Sequence, residues 1–304
     1  MHPILVVGSV AFDSLKTPFG EASRIVGGAA TYFSIAASFF SDVRVVAVVG
    51  QDFTDEHVQR VFGGRRIDLD GLQRVPGETF RWKGEYSFDL NDRESIYTHL
   101  NVFADFTPRI PEHYRSSPFV FLGNIQPSLQ LDVLDQVQKP TLVAADTMNY
   151  WIERDPEELR RVMSRVDVLL INDSEARQLS GEWNLVKAAR AIRLMGPRLL
   201  VIKRGEYGVL MSRGDGFFAA PAMPLESVFD PTGAGDTFAG GFVGYLASCP
   251  EVSDEALARA IIAGSTLASF AVEDFGLDRL LRLTQEEVRV RFVEFKRLTH
   301  FEEL

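Results

Sequence analysis

A chain of 304 residues is long enough for one large α/β domain or two small ones, and 46% hydrophobic with 24% charged residues is the ordinary composition of a folded globular protein. The net charge of −10 argues against nucleic acid as a partner, because a phosphate backbone needs a basic footprint. The one cysteine, Cys249, excludes an internal disulfide and points to a reducing, cytoplasmic setting; no run approaches the roughly 18 apolar residues of a membrane helix.

Ile4-Leu5-Val6-Val7 is a short apolar run ended by Gly8 and reads as a buried strand, too short and too poor in basic flanks for a signal-peptide core. Asp13 follows five residues after Gly8 and reads as a loop aspartate in a turn. Gly27-Gly28-Ala29-Ala30-Thr31-Tyr32 opens a helix to about Phe40, with Phe33, Ala36, Ala37 and Phe40 on its apolar face. A strand at Val43–Val49 ends at Gly50, and the Gly50-Gln51-Asp52 turn caps a helix at 53–62, with Asp52 structural. From about 69 to 100, polar and aromatic residues alternate around Phe80, Trp82, Tyr86 and Tyr97, with a turn at Asn91-Asp92. This predicts an antiparallel meander or an edge hairpin.

Beyond Phe119 the pattern changes to strand and helix in turn. Strands at 119–122, 141–145, 168–171 and 199–202 alternate with helices at 128–138, 156–165, 174–180 and 184–195. That rhythm predicts a mostly parallel central sheet with helices on both faces, binding its ligands at the carboxyl ends of the strands. Gly8, Asp146, Asn172 and Lys203 all fall at predicted strand ends. Asn172-Asp173-Ser174-Glu175 is a helix start in which Asn172 or Asp173 caps and Glu175 sits in the first turn. Lys203 precedes a tight turn with glycines three apart, Gly205 and Gly208; a lysine at such a place is most often exposed. An edge strand at 217–220 leads toward Asp230, and helices at 256–271 and 285–298 close the chain.

Asp230-Pro231-Thr232-Gly233-Ala234-Gly235-Asp236 is a turn running into a helix, with Thr232 as N-cap. Gly233 and Gly235 let a bulky ligand approach the backbone, and the first N–H groups with the helix dipole form an anion site beside one carboxylate, Asp236. Gly240 and Gly244 continue the same face, so another element can lie close along it. No Gly-Lys-Ser/Thr ending makes a P-loop, and Phe238 stands where a dinucleotide turn needs its third glycine. On the residues alone, a capped and glycine-tolerant buried helix fits equally well.

The stretch resembles the C-terminal signature of the ribokinase-like (PfkB) family of carbohydrate and nucleoside kinases. The first-strand aspartate, the Gly-Gly helix, the alternating strands, Asn-x-x-Glu, Gly-x-x-Gly and Gly-Ala-Gly-Asp come in family order. The resemblance implies a ribokinase-like α/β fold with a mostly parallel central sheet, as a single domain over 1–304 with a small β-lid inserted from about 10–20 and 75–105. It implies transfer of the ATP γ-phosphoryl group to a substrate hydroxyl. Asp236 matches the catalytic base, and the N–H groups of Gly233, Ala234 and Gly235 match those that hold the transferring group. Asp13 and the Gly27-Gly28 backbone match the acceptor site, which Phe103 and Asp105 would face. The family usually has an asparagine where this chain has Tyr32. Asn172 and Glu175 match the element that positions Mg²⁺-bound phosphates, with Glu175 acting through metal-bound water. Gly205 and Gly208 match the turn beside the nucleotide, Lys203 could reach a phosphate, and Asp230 and Thr232 are the candidates for a monovalent cation such as K⁺. Gly264 and Ser265 lie where the family walls its adenine pocket. A sugar or related polyol is the expected acceptor, with a nucleoside as the alternative. A non-catalytic binding protein on the same scaffold would have lost Asp236 or Gly233-Ala234-Gly235, and both are intact. The lid edge would suit pairing with a second copy.

Overall fold

Strands buried on both faces carry apolar residues at every position, and alternate side chains feed two separate cores. This sequence does so at its first strand, where Ile4 and Val6 enter one core and Leu5 and Val7 the other. The structure, a computed structural model, describes residues 1–88, 90 and 93–300, so the turn at Asn91-Asp92 lies outside the described residues.

In chain order the strands are β1 (Ile4–Val7), β2 (Ala11–Thr17), β3 (Gly20–Gly27), β4 (Val43–Val49), β5 (Ile67–Arg74), β6 (Phe80–Tyr86) and β7 (Arg93–His99). They continue with β8 (Phe119–Leu122), β9 (Leu142–Asp146), β10 (Val168–Asn172), β11 (Leu199–Lys203), β12 (Val209–Arg213) and β13 (Gly216–Ala220). Nine of them form one sheet in the order β13-β12-β11-β10-β9-β8-β1-β4-β5, and the other four form a small sheet in the order β3-β2-β6-β7. The large sheet is parallel from β5 to β11 and antiparallel at the β12–β13 edge. The chain winds from β1 outward to β5 and later resumes on the opposite side of β1 at β8, so the strand order reverses there. Crevices at such a reversal, beyond the carboxyl ends of the strands, are where open α/β sheets hold ligands.

The stretch 69–100 does not form one meander. Its first part, β5, pairs parallel with β4 at the edge of the large sheet, and only β6 and β7 enter the lid. An edge strand half in contact with water shows the same polar–apolar alternation as a lid strand, which is why the two read alike. The lid is completed by β2 and β3, with β2 running parallel to β6 and antiparallel to β3.

One core packs the sheet against the helices Ala29–Ala37, Ala234–Ser248 and Asp254–Ala271. The small residues of the signature helix decide how closely these helices meet. A Cβ at Gly240 would stand 2.3 Å from the Phe33 carbonyl oxygen, and one at Gly244 would stand 2.9 Å from Ala37 Cα. Helix propensity favours alanine over glycine by about 1 kcal/mol, but forcing atoms into a packed contact costs about 1–3 kcal/mol or more. Gly240→Ala is therefore expected to lower stability, by about 1 kcal/mol net, read as a lower urea midpoint with an unchanged slope.

Candidate active site

The helix Ala234–Ser248 begins at Gly233, which adopts a left-handed φ of 74° and offers no side-chain cap. Thr232 is not the N-cap that the sequence suggests. Its N–H donates to Asp230 Oδ1 at 2.9 Å, and its hydroxyl is hydrogen-bonded to the Tyr86 hydroxyl of β6 at 2.8 Å. Glycine at 233 answers to more than its φ, since a Cβ there would stand 2.5 Å from three ring atoms of Tyr32. The Ala234 N–H turns back to the Pro231 carbonyl at 3.2 Å, whereas among the described residues the N–H groups of Gly233 and Gly235 meet no protein acceptor. Two of the three amides expected at an anion site are thus open, with the positive end of a 15-residue helix behind them.

Lys203, at the carboxyl end of β11, is not the exposed strand-end lysine its position suggests. Its side chain is only 17% exposed and its Nζ donates to Asp146 Oδ2 at 3.2 Å. A Cβ on Gly235 would lie 3.1 Å from that Nζ, so the ammonium rests against the first turn of the signature helix. Burial alone would pull its pKa down, but the carboxylates of Asp146, Glu175 and Asp236 outweigh it and hold the ammonium above the usual lysine range. Lys203 therefore stays charged, as a cation set among three acids at the mouth of the anion site.

Asp13, 4% exposed, lies where the pairing of β2 with β3 shifts register between Asp13 and Leu15, a bulge that re-aims a side chain. Its carboxylate lies against Gly27, where a Cβ would fall 1.9 Å from Asp13 Oδ2. Gly28 follows with φ 94° and no room for a side chain, since a Cβ would stand 2.5 Å from the Ser9 carbonyl oxygen. The helix Ala29–Ala37 takes its cap from a distant residue, with Ser9 Oγ accepting from the Ala29 N–H at 3.1 Å. Tyr32, one turn in, is 1% exposed, and the charges of Asp230, Asp13 and Asp236 bear on its hydroxyl together with Tyr86.

The remaining candidates divide. Asn172 and Glu175 form a reciprocal capping box, Asn172 Oδ1 accepting from the Glu175 N–H and Glu175 Oε2 from the Asn172 N–H, both at 2.7 Å. Glu175 is 7% exposed and electrostatically coupled to Lys203. A hydrated Mg²⁺ that rests mainly on substrate phosphates asks only one or two carboxylates of the protein, and Glu175 fits that demand. Gly205 opens the turn at φ 54°, and Gly208 closes it at φ 82°, where a Cβ would stand 2.1 Å from the Ala220 carbonyl oxygen. Phe103 is half-buried and stacks on Phe80 of the lid at 5.5 Å and on Phe106 at 5.4 Å. Asp105 is exposed on the same short turn and is not among the acids that bear on Tyr32. The Asp230 oxygens accept separately from the N–H groups of Thr232 and Gly276, each at 2.9 Å, tying the loop at 276 to the anion loop. Gly264 serves helix packing, with a would-be Cβ 2.7 Å from the Phe238 carbonyl oxygen. Asp52 is structural but does not cap the following helix, Asp55–Phe62, whose N-cap is Thr54; burial opposes its charge, but bonds from the Thr79 N–H and hydroxyl and from Arg81 hold its carboxyl below the usual range.

Two groups of this site escape a reading of single motifs. Asp146 had a signal in its strand-end position, though nothing local pairs it with Lys203. Tyr86 is one aromatic among many in the lid, and only the folded chain brings it to Thr232.

The family described as pfkB family carbohydrate kinase matches residues 1–282. A cytidine kinase of Thermococcus kodakarensis is 32% identical over 257 residues, covering 82% of this chain and 91% of the relative. Two solved structures share the fold. A Burkholderia thailandensis nucleoside kinase in complex with inosine superposes with a TM-score of 0.78 at 20% identity, covering 96% of this chain and 98% of that one. A ribokinase II from E. coli in complex with ATP and Mg²⁺ does so with a TM-score of 0.77 at 16% identity, covering 97% and 99%. An anion site at a helix start, a carboxylate beside it and a ribokinase-like fold around them agree with these likenesses: the chain belongs to the pfkB family of carbohydrate kinases, ATP-dependent phosphotransferases with an alcohol group as acceptor.

Proposed function

We propose that the acceptor is a nucleoside, and that Asp236 takes the proton of its hydroxyl as that oxygen attacks the γ-phosphoryl group of ATP. The observation that carries this reading is the aromatic lid edge beside the start of the signature helix, with Tyr86 bonded to Thr232 at 2.8 Å and Phe80 stacked on Phe103 at 5.5 Å. A sugar alone asks for polar contacts, whereas a nucleoside also needs an aromatic or apolar wall for its base. Tyr86 at the site, and the Phe80–Phe103 stack beside the lid, supply such walls. The named activities of the Thermococcus and Burkholderia relatives point the same way.

In this reading Asp13 and the backbone at Gly27 and Gly28 hold the acceptor, because a carboxylate accepts two hydroxyl hydrogen bonds at once. The amides of Gly233 and Gly235 and the ammonium of Lys203 lie where negative charge gathers on the transferring group. The Gly205–Gly208 turn would lie beside the nucleotide, Asn172 orients Glu175 through their capping box, and Glu175 would hold a hydrated Mg²⁺. Mg²⁺, when bound, neutralises charge on the ATP oxygens. The lid, held down through Tyr86 and Thr232, keeps water from competing for the phosphoryl group. For Asp230 and Thr232 the paired backbone bonds favour a structural tie over a monovalent-cation site. The edge strands β3 and β7, with Ile96 exposed, favour a homodimer through the lid. The single cysteine and the absence, among the described residues, of any helix long and apolar enough to cross a membrane are consistent with a cytoplasmic enzyme.

An ATP-consumption assay over cytidine, adenosine, inosine, ribose and fructose tests the acceptor. At least one nucleoside is expected to exceed ribose and fructose in kcat/KM by about tenfold or more, the scale on which pocket contacts discriminate. A preference for either free sugar would overturn the nucleoside reading and leave a sugar kinase.

A further inference from the structure

The helix Asp254–Ala271 gives way to a short loop, residues 272–276, that touches both the anion loop and the lid. The Val272 carbonyl accepts from the Phe229 N–H at 2.9 Å, and the Gly276 N–H donates to Asp230 Oδ2 at 2.9 Å. On its other side the loop meets the lid. A Cβ on Gly276 would stand 2.5 Å from Ile25 Cδ1 of β3, and one on Gly20 would stand 3.4 Å from the Phe275 ring. Asp230 is fully buried, and its other oxygen holds the Thr232 N–H. Burial pushes that carboxyl up, and the bonds from Gly276 and Thr232 pull against the shift. A loop that moved away would leave an acid both buried and half-paired.

The loop is anchored from behind by an ion network. Glu273 Oε2 accepts from Arg279 Nε at 2.9 Å, and its Oε1 meets Arg291 Nη1 at 2.6 Å. Arg279 reaches on to Glu287 Oε1 at 2.8 Å, in the first turn of the helix Gln285–Thr299. Both guanidiniums lie over the Phe270 ring, 4.7 and 3.5 Å from its centroid. The side chains of Glu273, Arg279 and Arg291 are at most 22% exposed, so water and salt screen them far less than a surface pair. Each oxygen of Glu273 is thus claimed by a different arginine, and this clamp sits at the root of the loop that holds Asp230.

We propose that Glu273 is a positioning residue for phosphoryl transfer: clamped by Arg279 and Arg291, it fixes the loop that holds Asp230, and Asp230 fixes the turn from which the Gly233 and Gly235 amides meet the transferring group. This rests on the reading of those amides given above. Asp230, Thr232 and Gly233 belong to one tight turn, so a shift of the loop passes into the anion site without crossing the core. A displacement of about 1 Å caused by a change far from the chemistry can cost about 10²-fold. The loss falls on kcat, because the amides serve charge that gathers in the transition state.

The test is steady-state kinetics, per folded molecule, of wild-type enzyme, Glu273→Gln, Arg291→Met and the double variant, with ATP and the best acceptor of the panel above. Thermal melting is measured alongside, and Asp236→Asn serves as the reference. Each single variant is expected to lower kcat by about ten- to a hundredfold while the KM for ATP hardly moves. The double variant should lose no more than the worse single one, because both changes open the same clamp. A lower melting temperature with unchanged kcat overturns the proposal and makes the network a brace for the helix Gln285–Thr299. Losses that multiply in the double variant overturn it too. Should Glu273→Gln not fold, Arg291→Lys keeps the charge but not the planar fork, and a fall in kcat at near-normal melting is expected of it; unchanged kcat there overturns the proposal equally. If Asp236→Asn loses turnover while the clamp variants keep it, the role of Glu273 alone is refuted; if all of them keep it, the reading of the anion site is refuted as well.

Discussion

Asp236→Asn should lower kcat by about 10²–10⁴ while the affinity for ATP hardly moves, since general-base transfer contributes on that scale and the amide is nearly isosteric. The residue sits in the first turn of a helix whose start is held by Gly233 packed on Tyr32 and by the Thr232–Tyr86 bond. The substitution removes a proton acceptor and leaves the anion site standing. Single-turnover kinetics with ATP binding measured by calorimetry separate the two quantities. Near-normal turnover in the variant would remove Asp236 from the role of base.

Lys203→Met should harm the enzyme twice. Breaking a buried ion pair strands the remaining charge, here Asp146 with a side chain 8% exposed, and costs about 3–5 kcal/mol. It also takes a positive charge from the first turn of the signature helix, which should cost about 10²–10³ in kcat, the scale of a lost donor to developing charge. The Lys203→Met, Asp146→Asn double variant separates the effects. Neutralising both partners should restore most of the lost melting temperature without restoring turnover. Recovery of activity along with stability would make Lys203 a structural counter-ion and nothing more.

Much of this site was legible in the chain, for reasons that differ by residue. Asp236 and its glycines announce themselves because the turn, the helix start and the acid are contiguous. Asp146, Asn172 and Lys203 were placed together by strand rhythm alone, since successive parallel strands put their carboxyl ends side by side; Asn172 and Lys203 are register partners. What was hidden depends on contacts far apart in sequence. Thr232 looked like an N-cap because that rule is local, and Tyr86, a residue 146 positions away, claims its hydroxyl instead. Lys203 looked exposed because nothing nearby in sequence buries it. Asp105 draws notice by its place after the lid; its side chain is exposed, on the turn where Phe103 is half-buried. The strand β5 reads as part of the antiparallel meander because half-buried edge strands share one pattern wherever they lie.

The Tyr86–Thr232 bond has a consequence for how the two substrates communicate. It joins β6 of the lid to the loop at the start of the signature helix; under the proposed function these cover the acceptor and grip the phosphoryl group, so closing over the first would bias the geometry offered to the second. By thermodynamic reciprocity, whatever factor one ligand imposes on its companion's binding must be returned in equal measure, whichever arrives first. Under that proposal, a single phenol-to-threonine contact would couple the two sites.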